Sequence, residues 1–242
     1  MRRMPKSRDV ELGHLVHPDA GTHPGVVLIH DVWGLSDHAR DLAGRLAADG
    51  FAVLALDLYR RMDAVKIENP GEWMRALSDP QAAGDVQAAA DFLAGLPETA
   101  GHGVGVVGFC MGGMYALMSA GLCNGLGAAV PFYGLLSHEH GILHDEAGLD
   151  PALKPLAPLE AVAALRCPVL AFFGDQDEFV PLSDVRALEE HLAGQAQPTE
   201  VVVYPGVGHA FVNDTRPEAY RPDEAKDAWG RTVAFLNEHL RR

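Results

Sequence analysis

Along the 242-residue chain, short apolar runs bounded by turn residues alternate with stretches in which apolar positions recur every third or fourth residue. Val26–Ile29, Phe51–Leu56, Val104–Phe109, Ala128–Phe132, Val169–Phe173 and Glu200–Tyr204 are rich in β-branched and aromatic residues. Their near-continuous apolar character predicts strands of a parallel sheet covered on both faces. Leu42 with Leu46, then Val86, Ala89, Leu93 and Leu96, then Leu182, Val185, Leu188 and Leu192, and finally Trp229, Val233, Leu236 and Leu240 have helical spacing. Each set would bury one stripe against the sheet. The alternation implies right-handed crossovers in a mostly parallel central sheet flanked by helices on both faces. Ligands of such sheets bind beyond the carboxyl ends of the strands.

No internal repeat or Ser/Gly linker divides the chain, so a single α/β domain over 1–242 is expected. Residues 1–24 would form an edge strand, hairpin or arm, with Pro18-Asp-Ala-Gly21 as turn chemistry. Residues 137–158 carry Pro151, Pro155 and Pro158 together with histidines and form the least regular piece. They are expected to be a lid or an insertion near a site.

Three residues past the obvious strands carry chemistry. Gly108-Phe-Cys-Met-Gly-Gly113 follows one strand and precedes a helical run. It has the form of a nucleophile elbow, with cysteine in the place more often held by serine. Such a turn sets the Cys110 sulfur at a helix N-terminus, where backbone N–H groups and the helix dipole favour a thiolate. Asp175 leaves the strand Val169–Phe173 within two residues, where an acid partner belongs. Asp177 is its nearby competitor, or a cap for the turn at Pro181. His209 lies in the glycine-flanked loop Tyr204-Pro-Gly-Val-Gly-His-Ala-Phe211. The order nucleophile, acid, histidine is the one used by the α/β-hydrolase fold.

The chain resembles the dienelactone hydrolase family of α/β-hydrolases. The matching pieces are His30-Asp-Val-Trp-Gly34, Leu56-Asp-Leu-Tyr59, Gly108-Phe-Cys-Met-Gly-Gly113, Gly174-Asp-Gln-Asp-Glu-Phe-Val-Pro181 and Gly208-His-Ala-Phe211. The resemblance implies Cys110 as nucleophile, His209 as general base and then acid, and Asp175 as the acid orienting it. It also implies an oxyanion hole from the backbone N–H groups of Val32 and Met111. The implied reaction is cleavage of a carboxylic ester or lactone through a thioacyl-enzyme, with no cofactor and no metal. Family members place a glutamate near the resting thiol; here that position is Asp31, a shorter acid. They also hold substrate carboxylates with arginines, one of them four residues after the histidine. That place is Asn213 here, and no convincing second arginine stands near Lys66–Glu72, so a neutral or differently charged ester is the expected substrate. Trp33, Tyr133, Phe179 and Phe211 flank these pieces and are candidate substrate contacts, together with Asn213.

Bulk composition narrows the alternatives. A formal charge of −14, from 19 basic and 33 acidic residues, disfavours a phosphate backbone as partner. No apolar run reaches the ~18 residues of a membrane span, and no apolar region follows the basic Met1–Arg8, so a cytoplasmic protein is expected. A small-molecule ester or lactone is the expected partner, with the protein a monomer or homodimer. Cys123 and Cys167 sit in apolar surroundings and read as core fillers. His138, His140, His144 and Asp145 include zinc-binding residue types, but the polar run reads as a loop. Gly101-His-Gly-Val-Gly105 lacks the lysine of a phosphate loop. Two rival readings keep the fold: a short-chain carboxylesterase or thioesterase, and a non-hydrolytic thiol-based redox or binding protein.

Overall fold

The computed structural model describes residues 5–163 and 165–241. An eight-stranded sheet forms its centre, in the order β1-β2-β4-β3-β5-β6-β7-β8. The strands are β1 (Lys6–Val10), β2 (Gly13–His17), β3 (Gly25–Ile29), β4 (Ala52–Leu56), β5 (Val104–Phe109), β6 (Leu126–Phe132), β7 (Val169–Gly174) and β8 (Thr199–Tyr204). β1 and β2 form an antiparallel hairpin on the edge, and β2 runs antiparallel to β4. The pairings from β4 through β3, β5, β6 and β7 to β8 are parallel. The six strands expected from sequence are all present, and the architecture is the mostly parallel α/β sheet that their pattern implied.

Seven helices cover the sheet: α1 (Asp37–Ala48), α2 (Pro70–Ala76), α3 (Asp79–Ala94), α4 (Met111–Leu122), α5 (Pro158–Ala161), α6 (Leu182–Leu192) and α7 (Pro222–Leu240). Every residue of β3, β4, β5 and β7 is buried, as strands covered on both faces must be. Alternate residues feed opposite cores. Val27, Ile29 and Val106 pack with Val86, Leu93, Leu117 and Leu188, whereas Val26, Leu28 and Val107 pack with Leu42, Leu46 and Leu236. Side-chain caps start three helices: Ser36 accepts from Ala39 N–H, Asn69 from Gly71 and Glu72 N–H, and Ser78 from Gln81 N–H.

Several details differ from the sequence expectations. The hairpin turn falls at Glu11-Leu12, and Pro18–Gly21 instead bends the chain from β2 towards β3. Leu96 lies beyond the end of α3. The buried stripe of α7 is Ala225, Ala228, Thr232, Leu236 and Leu240. Trp229 is displaced to its margin, where the indole N–H donates to Asp49 at 2.8 Å. The short α2 has no long apolar period to announce it, and its buried side chain is Met74.

The segment 137–158 is tied down at several points. A single 3-10 turn, Gly141–Leu143, buries Leu143, and Arg75 donates to the Ile142 carbonyl at 3.0 Å. The Leu153 carbonyl accepts from Asp79 N–H at the start of α3. Beside it, Lys154 Nζ meets Asp79 Oδ1 at 2.6 Å, with side-chain exposures of 0% and 2%. Tyr115 donates its hydroxyl to the same carboxylate oxygen at 2.8 Å. Burial pushes the Lys154 ammonium below its usual range, while the Asp79 charge opposes that shift. His140 faces Asp184 at 3.4 Å and Asp145 faces Arg75 at 3.3 Å, so these two side chains turn to separate partners.

Removing one member of a buried ion pair strands the other in a poor solvent. Lys154→Met is expected to cost about 3–5 kcal/mol in urea unfolding, and the double variant Lys154→Met/Asp79→Leu to recover most of that loss. Equal losses in the single and double variants would show that the pair is not what anchors the segment.

Candidate active site

One residue separates β5 from α4, and it is Cys110, with φ 56° and ψ −116°. The turn is possible because its neighbours lack side chains. A Cβ on Gly108 would lie 2.0 Å from the Gly112 carbonyl oxygen, and one on Gly112 would lie 2.2 Å from that of Ile29. Cys110 N–H donates to the Phe132 carbonyl at 3.0 Å, and its own carbonyl accepts from Met114 N–H in the first turn of α4. Cys110 therefore stands at the carboxyl end of the central strand and at a helix N-terminus, half-buried.

His209 comes from the loop after β8. Its Nδ1 lies 2.7 Å from Asp177 Oδ2, and the Asp177 side chain is fully buried. The other oxygen, Asp177 Oδ1, accepts from the N–H groups of Phe179 and Val180, at 2.8 and 3.1 Å. A turn closed by the carboxylate thus presents its free oxygen to the imidazole. Asp175, expected from sequence as the histidine's partner, is elsewhere. Its Oδ1 accepts from Gly206 N–H at 2.7 Å and from the Gln176 amide at 3.2 Å. The physical reason is direction. Asp175 still follows the line of β7 and braces the exit of β8, and the chain turns towards the site only over the next two residues.

His209 Nε2 is buried without a hydrogen-bonded partner among the described residues, and Cys110 and His209 line the same cavity. Burial alone would lower the imidazole pKa, but the Cys110 sulfur and then the Asp177 carboxylate outweigh it and hold His209 at about 10, against an ordinary 6.5. The imidazole thus stands beside a sulfur and a carboxylate, both of which favour its protonated form.

Two hollows meet at Cys110 and His209. One, the polar hollow, carries Asp31, His38, Tyr133, Asn213 and Arg216 within an otherwise apolar wall. The other is mainly apolar and includes Met74, Leu135, Ile142 and Phe179, with Val32, Trp33 and Arg216 shared between the two. Ile142 shows that segment 137–158 contributes a wall. Cys110, Tyr133 and Ala210 are the three non-glycine residues with positive φ among those described, and all line the polar hollow. Backbone strain of this kind collects where a structure is over-determined for function.

The remaining sequence candidates divide. Val32 and Met111 flank Cys110, and neither of their N–H groups has an acceptor among the described residues. Asp31 lines the polar hollow, yet its Oδ1 accepts from Trp33 N–H at 2.9 Å, and no hydrogen bond joins it to the thiol among the described residues. Trp33, Tyr133, Phe179 and Asn213 all reach one hollow or the other. Phe211 does not. It is fully buried behind Tyr133, ring to ring at 5.4 Å, and serves packing. Asn213 is largely occupied locally, accepting from the N–H and hydroxyl of Thr215.

Sequence reasoning missed Arg216, whose guanidinium lies over the Trp33 ring at 5.7 Å and lines both hollows. It makes no ion pair among the described residues. Position in sequence gave no signal, because it stands seven residues after His209 and reaches the site only through the turn at Asn213–Arg216.

Residues 12–240 match the Dienelactone hydrolase family. The chain belongs to that family. Its members' reaction makes it a carboxylic ester hydrolase acting on a small molecule. A protein of Methylorubrum extorquens provisionally assigned as a carboxymethylenebutenolidase is 31% identical over 226 residues, 91% of this chain and 74% of that protein. One from Bradyrhizobium sp, named as a probable 2-oxo-3-(5-oxofuran-2-ylidene)propanoate lactonase, is 30% identical over 95% of this chain and 90% of its own length. A crystal structure from Klebsiella pneumoniae, provisionally assigned as a dienelactone hydrolase, superposes with a TM-score of 0.82 at 26% identity, covering 96% of this chain and 97% of the other. Among the described residues, no helix of this hydrolase is long and apolar enough to cross a membrane.

A raised folded-state pKa means that the proton on His209 stabilises the fold fully below about pH 6.5, and that this stabilisation is lost as pH rises through about 10. In 15N NMR the His209 ring is expected to remain doubly protonated at pH 8 in this hydrolase and to lose its second proton at lower pH in Cys110→Ala. An imidazole already neutral at pH 8 in the wild type would contradict the ion pair.

Proposed function

We propose that this hydrolase cleaves a small carboxylic ester or lactone with Cys110 as nucleophile, His209 as proton carrier and Asp177 as the acid that orients it. The observation that carries this reading is the 2.7 Å contact between His209 Nδ1 and a fully buried Asp177, with Nε2 left to the Cys110 side. Because the imidazole is already protonated, the thiolate attacks the carbonyl carbon without first handing over a proton. The C–S bond forms, and the carbonyl electron pair moves to oxygen. The N–H groups of Val32 and Met111 receive that oxyanion. On collapse the C–O bond breaks, and His209 gives its proton to the departing alkoxide. The neutral imidazole then takes a proton from water as the oxygen adds to the thioacyl carbon. Collapse of the second tetrahedral species releases the acid and restores thiolate and imidazolium.

The apolar hollow suits the acyl or ring portion of a substrate, and Arg216 suits an anionic substituent. A guanidinium without a carboxylate partner, seated on an indole at the mouth of both hollows, favours a substrate that carries its own carboxylate. This restores the anionic lactone that the Asn213 position argued against, and the propanoate in the Bradyrhizobium relative's name has the same character. A thiol sensor would have no use for a buried Asp–His pair. The hydrolytic reading is therefore preferred to the redox one.

With p-nitrophenyl acetate, Cys110→Ala and His209→Ala are expected to lose turnover while staying folded by circular dichroism. Asp177→Asn is expected to fall about 10²-fold or more, whereas Asp175→Asn keeps most activity. Undiminished turnover in Cys110→Ala would remove this mechanism. A charge-assisted contact contributes about 1.5–3 kcal/mol, so Arg216→Ala is expected to raise KM about tenfold to hundredfold for a carboxylate-bearing lactone. The same variant should leave a neutral ester nearly unaffected, and equal effects on both substrates would rule out an anion-binding role.

A further inference from the structure

The loop after β3 is held by polar contacts that the reaction scheme leaves unused. His30 is almost completely buried. Its Nε2 accepts a hydrogen bond from Leu58 N–H at 3.2 Å, so that nitrogen carries no proton. In the neutral ring the proton therefore sits on Nδ1, which donates to the Asp31 carbonyl at 2.6 Å. The Asp31 carbonyl belongs to the same peptide group as the Val32 N–H. No cis peptide occurs among the described residues, so the two point in opposite directions. An unbroken chain results, from Leu58 N–H through the imidazole and the Asp31 carbonyl to the Val32 N–H. Each bond in such a chain polarises the next.

The following peptide is fixed as firmly. Tyr59 donates its hydroxyl to the Val32 carbonyl at 2.8 Å, and Trp33 N–H is held by the Asp31 carboxylate. The Tyr59 oxygen also lies 3.4 Å from Met111 Sδ, and the Tyr59 ring packs against His30 with centroids 4.9 Å apart. One buried pair thus touches both residues whose backbones would bind the oxyanion.

We propose that His30 and Tyr59 are positioning residues for the oxyanion site: His30 aims and polarises the Asp31–Val32 peptide so that Val32 N–H meets the developing charge, and Tyr59 fixes the peptide after it. This rests on the reading of Val32 and Met111 as the oxyanion donors. Neither side chain touches substrate. Their effect falls on the tetrahedral stage, when charge reaches the carbonyl oxygen, and not on binding or on the reactivity of the thiol.

Two rates separate these effects. Ester turnover passes through an oxyanion, whereas alkylation of Cys110 by iodoacetamide does not. His30→Leu, which can neither accept from Leu58 nor donate to Asp31, is expected to lower kcat for p-nitrophenyl acetate about tenfold to hundredfold. KM and the alkylation rate should stay near wild type. His30→Gln, which keeps an acceptor and a donor, should recover part of kcat. Tyr59→Phe loses a single oxygen and should show the same split, and it decides the matter if the leucine variant does not fold. Unchanged kcat in His30→Leu, or in Tyr59→Phe where that variant decides, would overturn the proposal. So would kcat and alkylation falling together, since that is the mark of a disturbed fold. Absence of Cys110-dependent turnover in the wild type would remove the hydrolytic reading and this proposal with it.

Discussion

The turn between β5 and α4 has room for one residue, and its backbone contacts admit no extra atoms. Gly108 and Gly112 lie so close to the Gly112 and Ile29 carbonyls that a Cβ on either would overlap backbone oxygen. That closeness forces Cys110 into positive φ and turns its side chain off the end of the sheet. Strand and helix cannot separate to relieve the strain, because both are buried along their length between two cores. Everything else at the site takes its position from this fixed sulfur. The β8 loop delivers His209 to one side of it, and the β3 loop delivers Val32 to the other.

The two loops are secured in the same way, by side chains that satisfy backbone groups. Asp177 uses one oxygen on its own turn and the other on His209. Asp175 ties Gly206 to the end of β7, which steadies the root of the histidine loop. In the β3 loop, His30, Asp31 and Tyr59 take the corresponding roles. A buried polar group left unmatched costs about 1–3 kcal/mol, so each of these contacts favours one loop conformation over its alternatives. That is how irregular segments reach the positional accuracy that catalysis requires.

The parts legible in the sequence are those governed by short-range rules. β3 and β5 announce themselves by apolar runs, the elbow by its glycines, and His209 by its glycine-flanked loop. Residues whose placement depends on a local reversal were harder to assign. Asp175 and Asp177 stand two positions apart after the same strand, and only the turn closed by Asp177 Oδ1 decides which one faces the histidine. Arg216 reaches the site because the chain folds back at Asn213, and no periodicity marks that event. Phe211 shows the converse error. Adjacency to His209 suggested a substrate contact, whereas the ring is buried behind Tyr133. Segment 137–158 was expected as a lid or an insertion from its irregular composition; Lys154, a residue type seldom buried, ties it to α3, and Ile142 forms a wall of the apolar hollow.

Charge explains why a cysteine suits this arrangement. Asp177 is enclosed and hydrogen-bonded on both oxygens, so its field falls on His209 with little screening. The Cys110 sulfur and the Asp177 carboxylate together favour the protonated imidazole and hold its pKa at about 10 against burial. A serine alkoxide could not be kept beside that cation, since its conjugate acid is far weaker than a thiol. On the mechanism proposed for Cys110, the resting site would already have the charge separation that a serine enzyme must create during attack. The step left for the protein to assist is the arrival of negative charge on the carbonyl oxygen. That places the catalytic demand on the β3 loop, where the Asp31–Val32 peptide is held from behind by a neutral, buried histidine.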